Sequence, residues 1–297
     1  MSHTIGRHRE RVRRALEMSP FVFSIVMCAA LLNASWNTIV KSGPDKQLDV
    51  VMVAGGTGVL ATVLLPFLPQ PAAASWPYIL VSTPIQVLYY WLVAAAYHRG
   101  DMSEAYPLMR GTAPLLVATL ATPLIGEVLS VHRWIGVALI SSGAFCMAVD
   151  AHFRSREARS AVTVALANAA VIALYTVVDG LGVRKSHSPL AYALWIFLLT
   201  AVPLVLWTLR QRRAEMLAYF RERFHLGFLG GAGSVGSYGL TLSAMTTAPV
   251  ALVAALRETS IVFATIMAAL ILKERIRWSR YVAIALIATG AITVRLA

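Results

Sequence analysis

Two arginines lie inside long apolar stretches of the sequence, at corresponding places. Arg110 and Arg257 each lie about eight residues from the start of their stretch, or roughly 12 Å along a helix at 1.5 Å per residue. If the stretches cross a membrane, both guanidinium groups are near the middle of a hydrocarbon core about 30 Å thick. An arginine at that depth faces the protein interior or a water-filled cavity. The pair therefore predicts a cationic site that binds an anionic or zwitterionic molecule.

A second interpretation is that carboxylates hold these arginines. Glu258 follows Arg257 directly, and Asp179 lies in another apolar stretch, so each is a candidate partner in a buried ion pair. A buried charge without a partner is far more costly than a paired one. Ion pairing and ligand binding can alternate in time, and the sequence leaves both interpretations open.

Other polar and aromatic side chains are candidates for the lining of the same site. Asn33 and Asn37 are one helical turn apart and share a face, with Trp36 beside them. This pattern favours a cavity lining over a hydrogen bond between two helices. Tyr89 could stack on a bound molecule, face lipid or pack in the core. Tyr175 aligns with Trp36 in a weaker internal match, at an offset of 139 residues (175 minus 36).

The composition excludes a soluble domain. Of the 297 residues, 58% are hydrophobic and 13% are charged, whereas a soluble domain carries about 25% charged residues. The net charge of +12 comes from Lys and Arg in short breaks between apolar stretches, as in membrane proteins. No basic stripe is interleaved with exposed aromatics, so nucleic acid is not an expected partner. The expected partners are the lipid bilayer and a small-molecule substrate.

Ten apolar stretches are each long enough to cross a membrane, and lipid requires helices because it cannot satisfy backbone polar groups. The sequence therefore predicts an all-α membrane protein with ten transmembrane helices. Residues 1–19 form a basic leader, and residues 151–159 form a basic linker. The predicted spans are 20–41, 48–68, 76–97, 102–125, 131–150, 160–182, 189–209, 225–246, 249–272 and 278–296.

The fourth and fifth spans recur as the ninth and tenth. Glu127 aligns with Glu274, and Gly143 with Gly290, at the same offset of 147 residues that separates the two arginines (257 minus 110). General similarity between apolar helices does not predict matched Arg, Glu and Gly at one offset. The chain is therefore predicted to contain two five-helix repeats, residues 20–150 and residues 160–297.

Five is an odd number, so the second repeat must enter the membrane from the opposite side. Inverted repeats around a central cavity are typical of secondary transporters, which bind their substrate near the midplane. The sequence thus predicts a carrier that opens its central site to alternate sides of the membrane. Glu104 and Asp179 are then candidate proton-coupling groups. Both lie near the ends of their spans, where ordinary solvation is the alternative.

The matched segments resemble the EamA repeat of the drug/metabolite transporter superfamily. The resemblance rests on Ala105–Pro114 with the Gly126-Glu127 turn, and on a second copy in Ala255–Ser260 and Lys273–Arg275. It covers essentially the whole chain and implies an α-helical basket with a central cavity that exports or exchanges small metabolites. The superfamily's substrates range over amino acids, nucleotide sugars, sugar phosphates and drugs, so the resemblance does not name one.

Two other functions are alternatives to a metabolite carrier. A flippase for a lipid-linked substrate fits the same superfamily. A membrane-embedded enzyme is disfavoured because the sequence contains no HExxH, GxSxG, Walker or Asp-rich metal motif. The histidines lack metal-ligand spacing, so neither a metal nor another cofactor is expected.

The protein is expected in the cell (inner) membrane as a multi-pass protein. The basic leader and the family resemblance favour cytoplasmic termini. The count of Lys and Arg in the connections favours the opposite face.

Overall fold

The computed structural model describes residues 19–99, 102–147, 156–270 and 278–297. The predicted leader, apart from Ser19, and residues 151–155 of the predicted linker lie outside these ranges, as does Glu274. The described residues form helices, short turns and connections without a strand, so the all-helical prediction is confirmed for this part of the chain.

The helices are numbered in chain order, and their bounds follow the predicted spans closely at most ends. Ser19 and Asp45 begin the first two helices as N-caps, because their side chains accept hydrogen bonds from backbone N–H groups of the first turn. The helices are α1 Pro20–Ser42, α2 Lys46–Leu64, α3 Trp76–Arg99, α4 Met102–Ile125, α5 Val131–Cys146, α6 Arg156–Ser186, α7 Pro189–Gln211, α8 Arg213–Met245, α9 Val250–Leu256, α10 Ser260–Leu270 and α11 Trp278–Leu296.

Seven helical segments in the described residues are long and apolar enough to cross a membrane. They belong to α1, α2, α4, α6, α7, α11 and the rod formed by α9 and α10. These segments, together with the helices between them, give a multi-pass membrane protein.

The two largest differences from the predicted spans are in the ninth span and in α8. The predicted span 249–272 is divided by a 3-10 turn, Arg257–Thr259, between α9 and α10. The helix α8 begins at Arg213, well before the predicted start at residue 225. The residues added at its start include good helix formers such as Glu215 and Met216. With 33 residues, α8 is roughly 50 Å long at 1.5 Å per residue, so it extends beyond the hydrocarbon core.

The helices pack in corresponding pairs. α3 packs along α6, and α1 along α8; α4 packs along α6, and α10 along α1. α5 packs against α11, and α2 lies between α7 and α8. Within the described residues, these contacts join the first half of the chain to the second far more than they join neighbours in sequence.

Glycines permit the closest of these helix crossings. A Cβ atom on Gly290 in α11 would lie 2.7 Å from the carbonyl oxygen of Gly136 in α5. A Cβ atom on Gly56 in α2 would lie 2.3 Å from the carbonyl oxygen of Gly227 in α8. Small residues at such crossings let the two backbones touch, and packing of this kind drives helix association in lipid.

The connections gather at two faces of the bundle. At the lower face, Arg184 at the end of α6 contacts Glu127 after α4 and the carbonyl groups of Met245 and Ala248 after α8. At the upper face, Arg212 between α7 and α8 contacts Asp45 between α1 and α2.

Candidate functional site

A central cavity lies between the two halves of the chain and contains both intramembrane arginines. Its volume is about 60 Å³. Seven of the predicted site residues line it together with six others from α3, α7 and α8. The lining residues are Asn33, Trp36, Asn37, Gln86, Tyr89, Tyr90, Arg110, Tyr175, Phe197, Ser234, Ser237, Tyr238 and Arg257.

Irregular backbone positions the arginines. Arg257 begins the 3-10 turn that separates α9 from α10. Arg110 lies within α4 between Pro107 and Pro114, each of which removes a helical hydrogen bond. Interrupted helices at membrane depth are tolerated where they line a protein cavity. Arg257 therefore lies at a break between two helices, whereas Arg110 lies in a continuous helix that lacks backbone hydrogen bonds at its prolines.

Arg110 forms a buried ion pair with Glu258. Its Nε atom lies 2.7 Å from Oε2 of Glu258, and the two side chains are 8% and 4% exposed. The N–H bond is not aimed at this oxygen, so the contact is an ion pair rather than a well-formed hydrogen bond. Glu258, predicted as a site residue and as a partner for an arginine, thus lies beside the cavity and compensates the charge of Arg110.

Arg257 has different surroundings, although it too is buried. Its guanidinium lies over the ring of Tyr238, 5.8 Å from the centroid, and the Tyr175 hydroxyl lies near both guanidinium groups. Among the described residues, no carboxylate oxygen lies within 4.0 Å of the Arg257 side chain. The cavity therefore combines one compensated cation with one that can accept an anionic group.

The predicted asparagine–tryptophan face of α1 turns toward the cavity. The Nδ2 atom of Asn33 donates to Ser260 Oγ at 3.1 Å, and its Oδ1 atom accepts from the indole of Trp36 at 3.1 Å. Asn37 donates to the backbone carbonyl of Asn33 at 2.7 Å. Asn33 therefore makes an interhelical hydrogen bond and also holds the indole at the cavity wall, so both sequence interpretations describe part of its role.

Asp179 lies outside the cavity but contacts two of its lining residues. Its carboxylate accepts hydrogen bonds from Gln86 at 3.0 Å, from Tyr192 at 3.1 Å and from the Tyr238 hydroxyl. The hydroxyl of Ser82 also lies beside it. Asp179 is fully buried, so the solvated alternative considered for this residue is wrong. The side chain of Glu104 lies outside the described part of the structure.

A larger cavity opens at the upper face, and we call it the vestibule. It measures about 1140 Å³ and lies between the upper ends of α3 and α7 and the start of α2. Its wall is mainly apolar, with Trp91 and Trp207 in contact at a centroid distance of 5.1 Å. Tyr90 lines both the vestibule and the central cavity. The vestibule therefore adjoins the central cavity, and Tyr90 lies between the two.

Charged groups form the rim of the vestibule. Arg212 donates to Oδ2 of Asp45 at 2.6 Å and also to Glu215. Burial alone would raise the pKa of Asp45, but the Arg212 contact and the backbone donors Gln47 and Leu48 lower it below its ordinary value. Asp45 therefore remains ionised and ties the start of α2 to the start of α8.

The lower face is closed by hydrogen bonds. Glu127 accepts from Arg184 at 2.7 Å and from the backbone N–H groups of Val250 and Ala251 at 2.9 and 3.3 Å. Its carboxylate thus caps the N-terminus of α9, where negative charge is favourable. Arg184 also donates to the carbonyl groups that follow α8. We call this set of contacts the lower lock.

Sequence reasoning missed several lining residues. Gln86 and Tyr238 join the cavity to Asp179, and Phe197, Ser234 and Ser237 complete the wall. Gln86 carried a usable signal, because a glutamine within an apolar span is costly unless it faces other polar groups. Tyr238 carried none that distinguishes it from the other aromatic residues of the chain.

The chain is similar to known proteins in its fold and in its sequence family. No curated protein matches this chain. Among solved structures, one described as a crystal structure of a protein is similar, with a TM-score of 0.74 and 21% identity over 93% of this chain and 96% of that chain. At this identity, the likeness shows the fold alone. The model of the EamA-like transporter family matches residues 21–149 and again residues 159–296. These two matches cover nearly the whole sequence in two copies, and so the chain belongs to the EamA-like transporter family.

Proposed function

We propose that this membrane transporter is a secondary carrier that moves a small anionic or zwitterionic metabolite by alternating access, as an exporter or an exchanger. The observation that carries the proposal is the central cavity, in which Arg257 lies without a carboxylate within 4.0 Å among the described residues. A carboxylate or phosphate group of a substrate would supply the missing charge. The asparagines, the tyrosines and Trp36 would bind the rest of the molecule.

The pairing of helices supports ten spans in two inverted repeats. We pair each helix of the first half with its counterpart in the second half, and count α9 and α10 together as one span. When the counterparts are exchanged, the α3–α6 contact becomes the α8–α1 contact, and the α4–α6 contact becomes the α10–α1 contact. The α5–α11 and α2–α7 contacts are carried onto themselves. A pseudo-twofold axis in the membrane plane has this effect, and inverted repeats of this kind are common among secondary transporters.

One pair of contacts departs from this symmetry, and the departure suggests the motion. The α2–α8 crossing is closed by Gly56 and Gly227, whereas its counterpart between α3 and α7 contains the vestibule. In an alternating cycle, α3 and α7 would close at the upper face while α2 and α8 separate at the lower face. The lower lock would then open, because Arg184 at the end of α6 and Glu127 after α4 belong to different halves of the chain.

We place the protein in the cell (inner) membrane with both termini on the cytoplasmic side, so that the vestibule opens outward. The basic leader and the family resemblance support this orientation. The arginines at the upper face, among them Arg210, Arg212 and Arg213, argue against it. A reporter fused after Ala297 decides between the two orientations, because it is active on one side of the membrane only.

A lipid-linked substrate is the second candidate, and the vestibule is the observation that favours it. Its wall contains Val50, Val51, Leu204 and Trp207, which suit an acyl or isoprenoid chain as well as they suit a passage. The family is one of transporters, and no catalytic role is proposed for any residue of the site.

A thermal-shift screen of the purified protein tests the proposal first. The compounds are amino acids, dicarboxylates, sugar phosphates and nucleotide sugars, with a lipid-linked sugar as the arm for a flippase. We expect at least one soluble anion or zwitterion to raise the melting temperature of the wild-type protein. The same compound should leave the melting temperature of Arg257→Ala unchanged. Arg213→Ala is the matched control, because Arg213 is exposed on α8. Stabilisation by the lipid-linked compound alone would contradict a carrier for soluble metabolites.

Counterflow in proteoliposomes tests the transport step. Liposomes loaded with an unlabelled compound from the screen should accumulate the labelled compound with wild-type protein and with Arg213→Ala. Arg257→Ala should reduce this accumulation while the folded protein is still recovered. Equal counterflow in Arg257→Ala would remove Arg257 from the substrate site.

A further inference from the structure

We infer that Asp179 is a proton-binding site whose occupancy is coupled through Tyr238 to the Arg257 end of the central cavity. The inference rests on the proposed function and deepens its exchanger form: a proton bound at Asp179 moves together with an anion bound at Arg257.

Three acidic side chains among the described residues are buried: Asp49, Asp179 and Glu258. Glu258 lies 2.7 Å from Arg110, and Asp49 lies 3.8 Å from Arg223. Within the described residues, Asp179 alone has no lysine or arginine nitrogen within 4.0 Å. An ionised carboxylate in a protein interior is costly without a cation, so protonation is the direct way to remove its charge.

Neutral donors surround the Asp179 carboxylate from three other helices. Gln86 on α3, Tyr192 on α7 and Tyr238 on α8 donate to it. These donors stabilise the carboxylate form in part, so both protonation states have partners. Ser82, also on α3, can reverse its hydroxyl and accept from a protonated carboxyl group. This is the arrangement that a site needs if it gains and loses a proton during a cycle.

Tyr238 connects this site to the cavity. Its hydroxyl contacts Asp179, and its ring lies under the guanidinium of Arg257. Gln86 makes a second connection, since it contacts Asp179 and also lines the cavity. The titratable and charged groups that face Asp179 are thus Tyr192 and Tyr238, with Arg257 and Tyr175 in the layer behind them.

The charges determine how protonation of Asp179 changes the affinity of Arg257 for an anion. When Asp179 is ionised, its negative charge partly compensates Arg257 and weakens the attraction for an anion. When Asp179 is protonated, its contribution to this compensation is lost, and an anion binds Arg257 more tightly. Linkage makes the effect reciprocal, because each ligand changes the affinity for the other by the same factor. A proton and a monoanion would therefore cross together without net charge.

Infrared difference spectroscopy tests the site with the proton itself as the probe. Purified full-length protein in lipid nanodiscs is titrated from acidic to alkaline pH, without any metabolite. We expect a carboxylic-acid C=O band that disappears as the pH rises, is absent in Asp179→Asn and is retained in Glu258→Gln. No difference between the wild type and Asp179→Asn would overturn the inference, since Asp179 would then keep one protonation state throughout.

Two further arms keep the test informative. Tyr238→Phe removes one donor to the carboxylate but keeps the ring, so the band should persist to more alkaline pH even if Asp179→Asn fails to fold. Arg257→Ala should shift the band in the same direction, because it removes a nearby positive charge. An unchanged titration in Arg257→Ala would overturn the coupling.

Sodium ions give the remaining alternative. Loss of the band on addition of sodium chloride, but not of the larger cation choline as its chloride, would assign the site to sodium and overturn the proton inference. This experiment needs no transported compound. A carrier without a titratable Asp179 would still show counterflow, so failure here is distinguishable from failure of the proposed function.

Discussion

Truncation of the two intramembrane arginines should destabilise the protein to different degrees, although they occupy corresponding positions in the two repeats. Arg110→Ala leaves Glu258 buried without the cation 2.7 Å away. Breaking a buried pair in this way costs roughly 3–5 kcal/mol, which lowers the melting temperature by on the order of 10 °C in a chain of this size. Arg257→Ala breaks no ion pair among the described residues. It should cost about 1 kcal/mol, the value of a cation–π contact.

The expected effects on binding are reversed in rank. A charge-assisted hydrogen bond contributes about 1.5–3 kcal/mol, so Arg257→Ala should weaken binding of the compound found in the screen by roughly 10- to 150-fold. The assay is thermal unfolding in detergent, followed by tryptophan fluorescence, with and without that compound.

The double variant is the control for the ion pair. Arg110→Ala combined with Glu258→Gln removes the uncompensated charge and should recover most of the lost melting temperature. Equal destabilisation by Arg110→Ala and Arg257→Ala, or no recovery in the double variant, would refute the assignment of one paired and one unpaired arginine.

Three other changes follow from the packing and the two faces. Gly56→Ala should sharply reduce the yield of folded protein, because its Cβ atom would lie 2.3 Å from a carbonyl oxygen of α8; Gly55→Ala, whose Cβ atom meets only a side-chain methyl at 3.7 Å, should not. Arg184→Ala should break the lower lock, destabilise the described conformation by roughly 1–3 kcal/mol and increase labelling, from the lower face, of a cysteine introduced at Ser237 in the cavity wall. Asp45 has a lowered pKa in the fold, so its contribution to stability is present at neutral pH and is lost as the pH falls below its ordinary value of 3.8. Asp45→Asn should remove this contribution, which is less than about 1 kcal/mol. The acid dependence of the melting temperature should then be flatter than in the wild type.

Each of these changes has an outcome that contradicts it. Equal yields of the two glycine variants would show that α2 and α8 are not in backbone contact. Unchanged labelling from the lower face would mean that Arg184 does not hold that face closed. An acid dependence that Asp45→Asn leaves intact would assign it to another carboxylate.

The internal repeat made much of the site predictable. Because Arg110 and Arg257 share one offset with Glu127 and Glu274, their equal depth followed from sequence, and the structure places both at one cavity. The helical spacing of Asn33 and Asn37 likewise identified the face of α1 that turns inward. Charged and amide side chains carry this information because lipid excludes them.

Other features could not be predicted, for physical reasons. Lipid and protein core are both apolar, so hydropathy does not tell which face of a helix meets the cavity, and Tyr238 and Phe197 were missed. The 3-10 turn at Arg257 contains no proline or glycine that would indicate an interruption of the helix. The ion pair of Arg110 depends on side-chain direction, which the sequence left open between Glu258 and Asp179. The vestibule belongs to one conformation of the helices. It could not be predicted, because the sequence is the same in every conformation.

Accessibility of the cavity from each face tests the central claim most directly. Ser237 lines the cavity on α8, and Ser237→Cys can be introduced after Cys28 and Cys146 are replaced by alanine. The measurement is the rate of reaction with a membrane-impermeant maleimide, applied from the upper or the lower face of oriented vesicles, with and without Glu127→Gln to weaken the lower lock. Alternating access predicts that Glu127→Gln raises the rate from the lower face and lowers the rate from the upper face. Rates that rise together from both faces, or labelling from the upper face alone in both backgrounds, would contradict a carrier that opens to one side at a time.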